Sequence, residues 1–284
     1  MRSVPELAAF EMRNADRELP GGRFRLEGRF AWTALAACVL AGALLLWGGT
    51  EVRAIDEIQV YDSGINDPGE WSLQLHANYA IDGRKQPDFP GGIVPNHAWQ
   101  GTPELAYGVT DWWELGLYWP YAVTNTGEYK DGGVKLRTLF VAPQAKERTW
   151  LLGVNFELGY DNPAFAEERW NVEVRPILGY RSGRDEFIVN PILDYALDKH
   201  NYRPDFAPAV RYAHALSESW KAGIEHYADL GPLDGNVPDR QQAHTTFLIV
   251  EWSYRSVDVH VGLGHGWTRA SDETVAKTIV GFSF

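Results

Sequence analysis

From Trp71 onward the chain alternates. In Trp71-Ser72-Leu73-Gln74-Leu75-His76-Ala77-Asn78-Tyr79 the odd positions are apolar or aromatic and the even ones polar. A period of two predicts a strand with one apolar and one polar face. The length suits a tilted transmembrane strand, which needs about 9–11 residues. The pattern returns at Trp113–Trp119, Trp150–Tyr160 and Trp170–Tyr180. In the third segment Trp150 and Tyr160 bracket Leu152, Val154, Phe156 and Leu158, as a lipid face between two aromatic girdles would. In the fourth, Glu173 and Arg175 lie on the opposite face from the brackets.

Weaker candidates fill the gaps: Pro103–Val109, Val134–Ala142, Phe187–Leu197, Phe206–Ala213, Trp220–Leu230, Thr246–Tyr254, Val257–Gly264 and Thr274–Phe284. The total is about twelve, an even number, as a closed antiparallel bacterial barrel requires. Closure removes sheet edges, whose unpaired N–H and C=O groups each cost several kcal/mol in lipid. Connectors around Gly108–Trp112 and Gly179–Glu186 read as short turns. Ile81–Gly101, Tyr160–Arg169 and Leu230–Ala243 read as longer loops rich in Gly, Pro, Asp and Asn. The expected fold class is an all-β, transmembrane, up-and-down antiparallel barrel.

Two further signals concern export. Residues Phe30 to Gly49 are almost uninterruptedly apolar or small, Arg23, Arg25 and Arg29 precede them, and Val52-Arg53-Ala54 follows. That is the secretory pattern. It predicts a leader over 1–54, cleavage after Ala54, general secretory export and a barrel over 55–284 in a Gram-negative outer membrane. An uncleaved anchor is the alternative, since the run approaches the roughly 20 residues that span a bilayer. Leu35-Ala36-Ala37-Cys38 resembles a lipobox, but Cys38 sits in mid-run. At the other end Val280, Phe282 and Phe284 share one face and close the chain on Phe, as the terminal signal read by the barrel assembly machinery does.

Composition narrows the picture. The 12 Trp residues recur at segment ends, among them Trp71, Trp113, Trp150, Trp170, Trp220 and Trp252, which fits a girdle in contact with outer-membrane lipid better than one sugar-stacking platform of a soluble secreted protein. A net charge of −12 argues against nucleic acid. The leader's seven Lys+Arg nearly cancel its six Asp+Glu, so cleavage leaves the acid excess intact. Cys38 is the single cysteine, which excludes a disulfide framework or thiolate metal site.

If the apolar positions face lipid, then Glu104, Glu114, Lys135, Arg137, Glu157, Glu173, Arg175, Asp194, Arg211, Glu225, Glu251 and Lys277 face the interior. An Arg or Lys on the lipid side would cost about 2–4 kcal/mol near midplane. Either these charges line an aqueous path and bias which solutes pass, or they pair across a narrow lumen and plug it. Pairing is the commoner role for any one of them, with Glu173 and Arg175 as the first candidates.

Barrel lipases and deacylases use a Ser activated by His within a His-x-Ser strand motif, and none of the eight His residues has Ser two positions on. His260 and Asp258 share one side of a strand and could converge on a cation, although a solvated lumen face explains them as well. There is no phosphate-binding loop or dinucleotide fingerprint. The expectation is therefore no catalytic residues, no metal and no cofactor.

Ile55–Asp62, Asn66–Leu73, His76–Tyr79 and Pro103-Glu104-Leu105-Ala106-Tyr107-Gly108-Val109-Thr110-Asp111-Trp112-Trp113-Glu114-Leu115-Gly116 resemble the outer-membrane porin family labelled "meta-pathway of phenol degradation". The resemblance is clearest over 55–121 and continues to Phe284 as barrel pattern. It implies a barrel and uptake of a small organic compound, with no catalytic or ligand residues to carry over. The expected function is a porin-like channel for small solutes. The rivals are a non-transporting barrel whose acidic loops bind a partner, and a soluble secreted carbohydrate-binding β protein.

Overall fold

The computed structural model describes residues 58–198, 203–233, 235, 237–238 and 241–284. The leader and its exit at Ala54 lie outside them. Alternation makes twelve staves: β1 (Trp71–Asp82), β2 (Trp99–Thr110), β3 (Trp113–Tyr118, resumed at Tyr121–Val123), β4 (Tyr129–Asp131, resumed at Gly133–Val141), β5 (Trp150–Asp161), β6 (Trp170–Ser182), β7 (Asp185–Asn190, resumed at Leu193–Ala196), β8 (Asp205–Phe206, resumed at Ala209–Ala215), β9 (Trp220–Asp229), β10 (Ala243–Tyr254), β11 (Val257–Gly266) and β12 (Thr274–Ser283). Each pairs antiparallel with its sequence neighbours. The barrel closes where β1 meets β12, with Leu73 opposite Phe282 and Ala77 opposite Thr278.

The expected closed antiparallel barrel is present, with boundaries shifted by a few residues. The interruptions have local causes. Pro120, Pro191 and Pro208 stand at the breaks in β3, β7 and β8, where a residue without an N–H cannot extend the ladder. In β4 the break falls at Gly132, and Gly133 follows at φ 106°. A Cβ there would lie 2.0 Å from the Tyr160 carbonyl oxygen, so only glycine fits.

Outward positions carry the apolar set. Trp150, Leu158, Leu178, Leu248 and Leu263 are all exposed. Aromatic pairs across the register mark both girdles: Trp71 with Tyr107 at 4.7 Å and Trp150 with Tyr180 at 4.8 Å at one end, Tyr79 with Trp99 at 4.6 Å and Tyr160 with Trp170 at 5.0 Å at the other. The wall is that of a membrane-spanning barrel.

Two-residue turns at Asp111-Trp112, Gly183-Arg184 and Arg255-Ser256 lie at the end where β1 begins and β12 stops. Longer connectors, including 83–98 and 230–242, lie at the opposite end. This asymmetry assigns the start of β1 and the end of β12 to the periplasmic side. The connector 142–149, with a short 3-10 turn at Ala145–Glu147, is the long exception there.

Candidate functional site: the occupied lumen

The interior holds a segment of the chain itself. Residues 58–70 precede β1: Ile58 lies deep in the lumen, and the chain runs from there to the periplasmic rim where β1 begins. Asn66 marks the entry: its N–H donates to Glu114 Oε2 at 2.7 Å and its Nδ2 to Ser72 Oγ at 2.8 Å. Deeper in, Val60 and Tyr61 are buried and pack with Leu139, Leu151, Ile177 and Ile188. Burial of such apolar groups favours seating by about 25 cal/mol per Å².

Tyr61 is the most heavily tied residue of the segment. Its N–H donates to Asn190 Oδ1 at 2.7 Å, while Asn190 Nδ2 donates to its carbonyl oxygen at 3.1 Å. The phenol shares a 2.6 Å hydrogen bond with Tyr118 Oη and donates to Glu157 Oε1 at 3.2 Å. Arg175 stacks over the ring with its guanidinium carbon 4.3 Å from the centroid, a cation–π contact strengthened by desolvation. Beyond it, Arg175 Nη1 donates to the Gln59 carbonyl at 3.1 Å and Lys277 Nζ to the Ile58 carbonyl at 2.9 Å. Backbone groups that no strand partner reaches are thereby satisfied, as buried N–H and C=O groups must be.

Around this segment the wall charges fall into four groups. Arg137 lies 2.6 Å from both Glu104 and Glu114, and His76 stands 3.4 Å from Glu104. Arg175 holds Glu173 with both carboxylate oxygens, at 2.6 and 2.8 Å. Arg211 bonds Glu251 and lies 3.5 Å from Glu186 and 3.7 Å from Asp62 of the inner segment. Lys277 bonds Glu225, which also accepts from Tyr227 Oη at 2.8 Å. Within each group the cation sits beside its opposite, because an unpaired charge at such burial is strongly destabilising.

Of the twelve inward candidates, Glu104, Glu114, Lys135, Arg137, Glu157, Glu173, Arg175, Arg211, Glu225 and Lys277 are buried, and Asp194 and Glu251 are partly so. Glu157, Glu173, Asp194 and Asp205 stand directly opposite one another on β5, β6, β7 and β8. Like charges in that relation repel, and the Arg175–Glu173 pair lies within the row. Asp205, Tyr61, Asn190, His76 and Tyr118 are interior residues that were not among the twelve candidates, although alternation had put His76 on the polar side of its segment. Among the described residues no group of three His, Cys, Asp or Glu side chains is placed to hold a metal ion.

Two cavities flank the inner segment. The outer one, about 300 Å³, is lined by Ile58, Gln59, Glu173, Arg175, Asp194, Asp205, Tyr227 and Phe247. The periplasmic one, about 400 Å³, is lined by Gln59, Asp62, Asn66, Gln74, Glu114, Arg211, Glu251 and His260. Gln59 belongs to both.

No family model matches the sequence. No curated protein matches either. Among solved structures, an outer-membrane channel from Pseudomonas putida F1 aligns with a TM-score of 0.53 at 12% identity, covering 80% of this chain and 100% of that one. The KdgM porin in complex with disordered oligogalacturonate aligns at 0.48 with 10% identity, over 75% of this chain and 99% of that one. The NanC porin gives 0.49 and 8%, over 75% and 98%. The first of these likenesses carries weight, and it establishes the fold: this chain shares the barrel architecture of a solved outer-membrane channel.

Proposed function

We propose that the protein is a passive outer-membrane channel for small solutes, with conductance set by how firmly residues 58–66 are seated. The observation that carries this reading is the pair of cavities entering the barrel from opposite ends and meeting at Gln59. A barrel needed only as a scaffold has no use for two vestibules of about 300 and 400 Å³ facing one inner segment. The segment is held by side-chain bonds to single residues, without a strand ladder, so it can leave without opening the wall. The five inward cations hold the wall through the acids beside them, and the twelve inward charges together, once the segment moves, bias which solutes pass.

Small organic compounds are the solute class favoured by the resemblance over residues 55–121 to the porin family of phenol degradation. Cleavage after Ala54, the general secretory route and recognition of Val280, Phe282 and Phe284 by the assembly machinery belong to the same reading, as does the absence of an enzymatic step. The filled lumen favours one rival, a barrel that conducts nothing and serves a partner.

Planar-bilayer recording separates the two. The intact protein is expected to show small or interrupted conductance, and a variant lacking residues 58–66 a larger, steady one. A variant that stays heat-modifiable on a gel yet conducts nothing overturns the channel reading in favour of the partner-binding barrel.

A further inference from the structure

The two cavities that flank the inner segment share an excess of one charge. Among the described residues lining the outer one, six are acids, Asp88, Glu173, Asp194, Asp205, Asp229 and Asp272, and two are cations, Arg84 and Arg175. Both cations are held by acids of the same lining. Arg84 is bonded to Asp88 and donates through Nε to Asp272 Oδ1 at 3.1 Å, and Arg175 grips Glu173. The periplasmic cavity repeats the sign, with Asp62, Glu114, Glu251 and Asp258 against Arg211 and Lys221, and His260 alongside. A solute entering from outside crosses the first of these fields before it meets the inner segment.

Asp194 differs from the other acids. It lies on the resumed half of β7, directly opposite Glu173 of β6 on one side and Asp205 of β8 on the other. Glu173 is taken up by Arg175, whereas Asp194 has no hydrogen bond or ion pair among the described residues. Arg175 and Lys135 reach it only through space, against Glu173 and Asp205. A carboxylate between two others inside a barrel is costly to keep charged without a counter-charge of its own. Because Asp194 lines an open cavity, that counter-charge can come from outside the chain.

The same wall already receives one ammonium group. Lys277 Nζ is bonded to Glu225, donates to the Ile58 carbonyl at 2.9 Å and lies 5.3 and 5.1 Å from the ring centroids of Tyr227 and Phe247. Ile58, Tyr227 and Phe247 all line the outer cavity. Carboxylates, carbonyls and ring faces are the groups that recognise a small ammonium ion, and none of them suits an anion.

We propose that the outer vestibule admits small solutes bearing an ammonium group in preference to anions of the same size, and that Asp194 sets the preference. An acid-rich cleft with low-dielectric walls raises the local concentration of cations by about tenfold or more. Rings and rows of Asp and Glu act in this way in cation channels. The preference builds on the channel reading above and names the solutes it serves.

The test is the reaction of one introduced thiol with methanethiosulfonate reagents of opposite charge, the ethyltrimethylammonium and the ethylsulfonate. Ala207, which lines the vestibule, is replaced by Cys, and Cys38→Ala removes the single native cysteine. The ratio of the two rates, divided by the same ratio for free 2-mercaptoethanol, cancels the reactivity of the thiol itself. The cationic reagent is expected to be favoured about tenfold, falling toward parity at about 1 M salt, where the screening length is about 3 Å. Asp194→Asn is expected to lower the ratio about threefold. Ala270→Cys, on the connector between β11 and β12, carries the test should Ala207→Cys fail to give a heat-modifiable band. A ratio at or below that of the free thiol, or one that Asp194→Asn leaves unchanged, overturns the proposal. The measurement needs no current, so a cation preference in a barrel that conducts nothing would end the channel reading and leave the preference of the vestibule standing.

Discussion

Tyr61 and Asn190 meet as two strand residues would, although only one of them belongs to a strand. The side-chain amide of Asn190 accepts from the Tyr61 N–H at 2.7 Å and donates to the Tyr61 carbonyl at 3.1 Å. One side chain thus satisfies both backbone groups of a residue in the middle of the lumen. No other side chain type of that size offers a donor and an acceptor in the same plane.

Replacing Asn190 with Leu keeps the volume and removes both bonds. The inner segment is expected to lose about 1–3 kcal/mol of seating, the cost of leaving buried polar groups unmade. Single-channel recording checks this as a longer open time. An unchanged record would mean that Asn190 does not hold the segment.

Arg175 serves Glu173, the Tyr61 ring and the Gln59 carbonyl together. Arg175→Met is expected to destabilise the barrel by about 3–5 kcal/mol, because Glu173 is left buried without its partner. Adding Glu173→Gln should recover much of that loss. Urea-driven unfolding in detergent micelles measures both.

In the periplasmic cavity Arg211 faces Asp62, Glu186, Glu225 and Glu251. Arg211→Gln removes the central cation and leaves four carboxylates. The reversal potential across a salt gradient is expected to move toward cation selectivity. A shift toward anions would place the conducting path elsewhere.

Phe284 is 71% exposed and joins β1 through backbone bonds alone, its N–H donating to the Trp71 carbonyl at 2.8 Å and its carbonyl accepting from the Trp71 N–H at 3.0 Å. Phe284→Ala is therefore expected to leave the stability of assembled protein within about 0.5 kcal/mol while lowering the yield of heat-modifiable barrel in cells. Gel shift of outer-membrane fractions, set against unfolding of the purified remainder, separates the two effects.

Strand content was legible because a membrane wall imposes period-two alternation on every stave, as Trp150–Tyr160 shows. The early stops at Pro120, Pro191 and Pro208 were weaker signals, since each proline removes one donor without ending the strand's path. The inner segment was not legible as such. Ile58-Gln59-Val60-Tyr61 alternates like the start of a stave, and nothing in four residues says whether the apolar side meets lipid or the hydrophobic patch of Leu139, Leu151 and Ile177. The carboxylate row from Glu157 to Asp205 was hidden for another reason: it exists only through cross-strand register, which no single strand encodes.

The many attachments of Tyr61 have a mechanical meaning. It is bonded to or stacked on residues of β3, β5, β6 and β7, consecutive or near-consecutive staves along one side of the cylinder. A thin-walled tube resists stretching along its hydrogen bonds far better than flattening of its cross-section. Spokes from one hub to four staves brace that side against becoming oval. When the hub leaves, this arc of the wall is the part that softens, so the barrel's stiffness in the membrane is tied to whether its interior is filled.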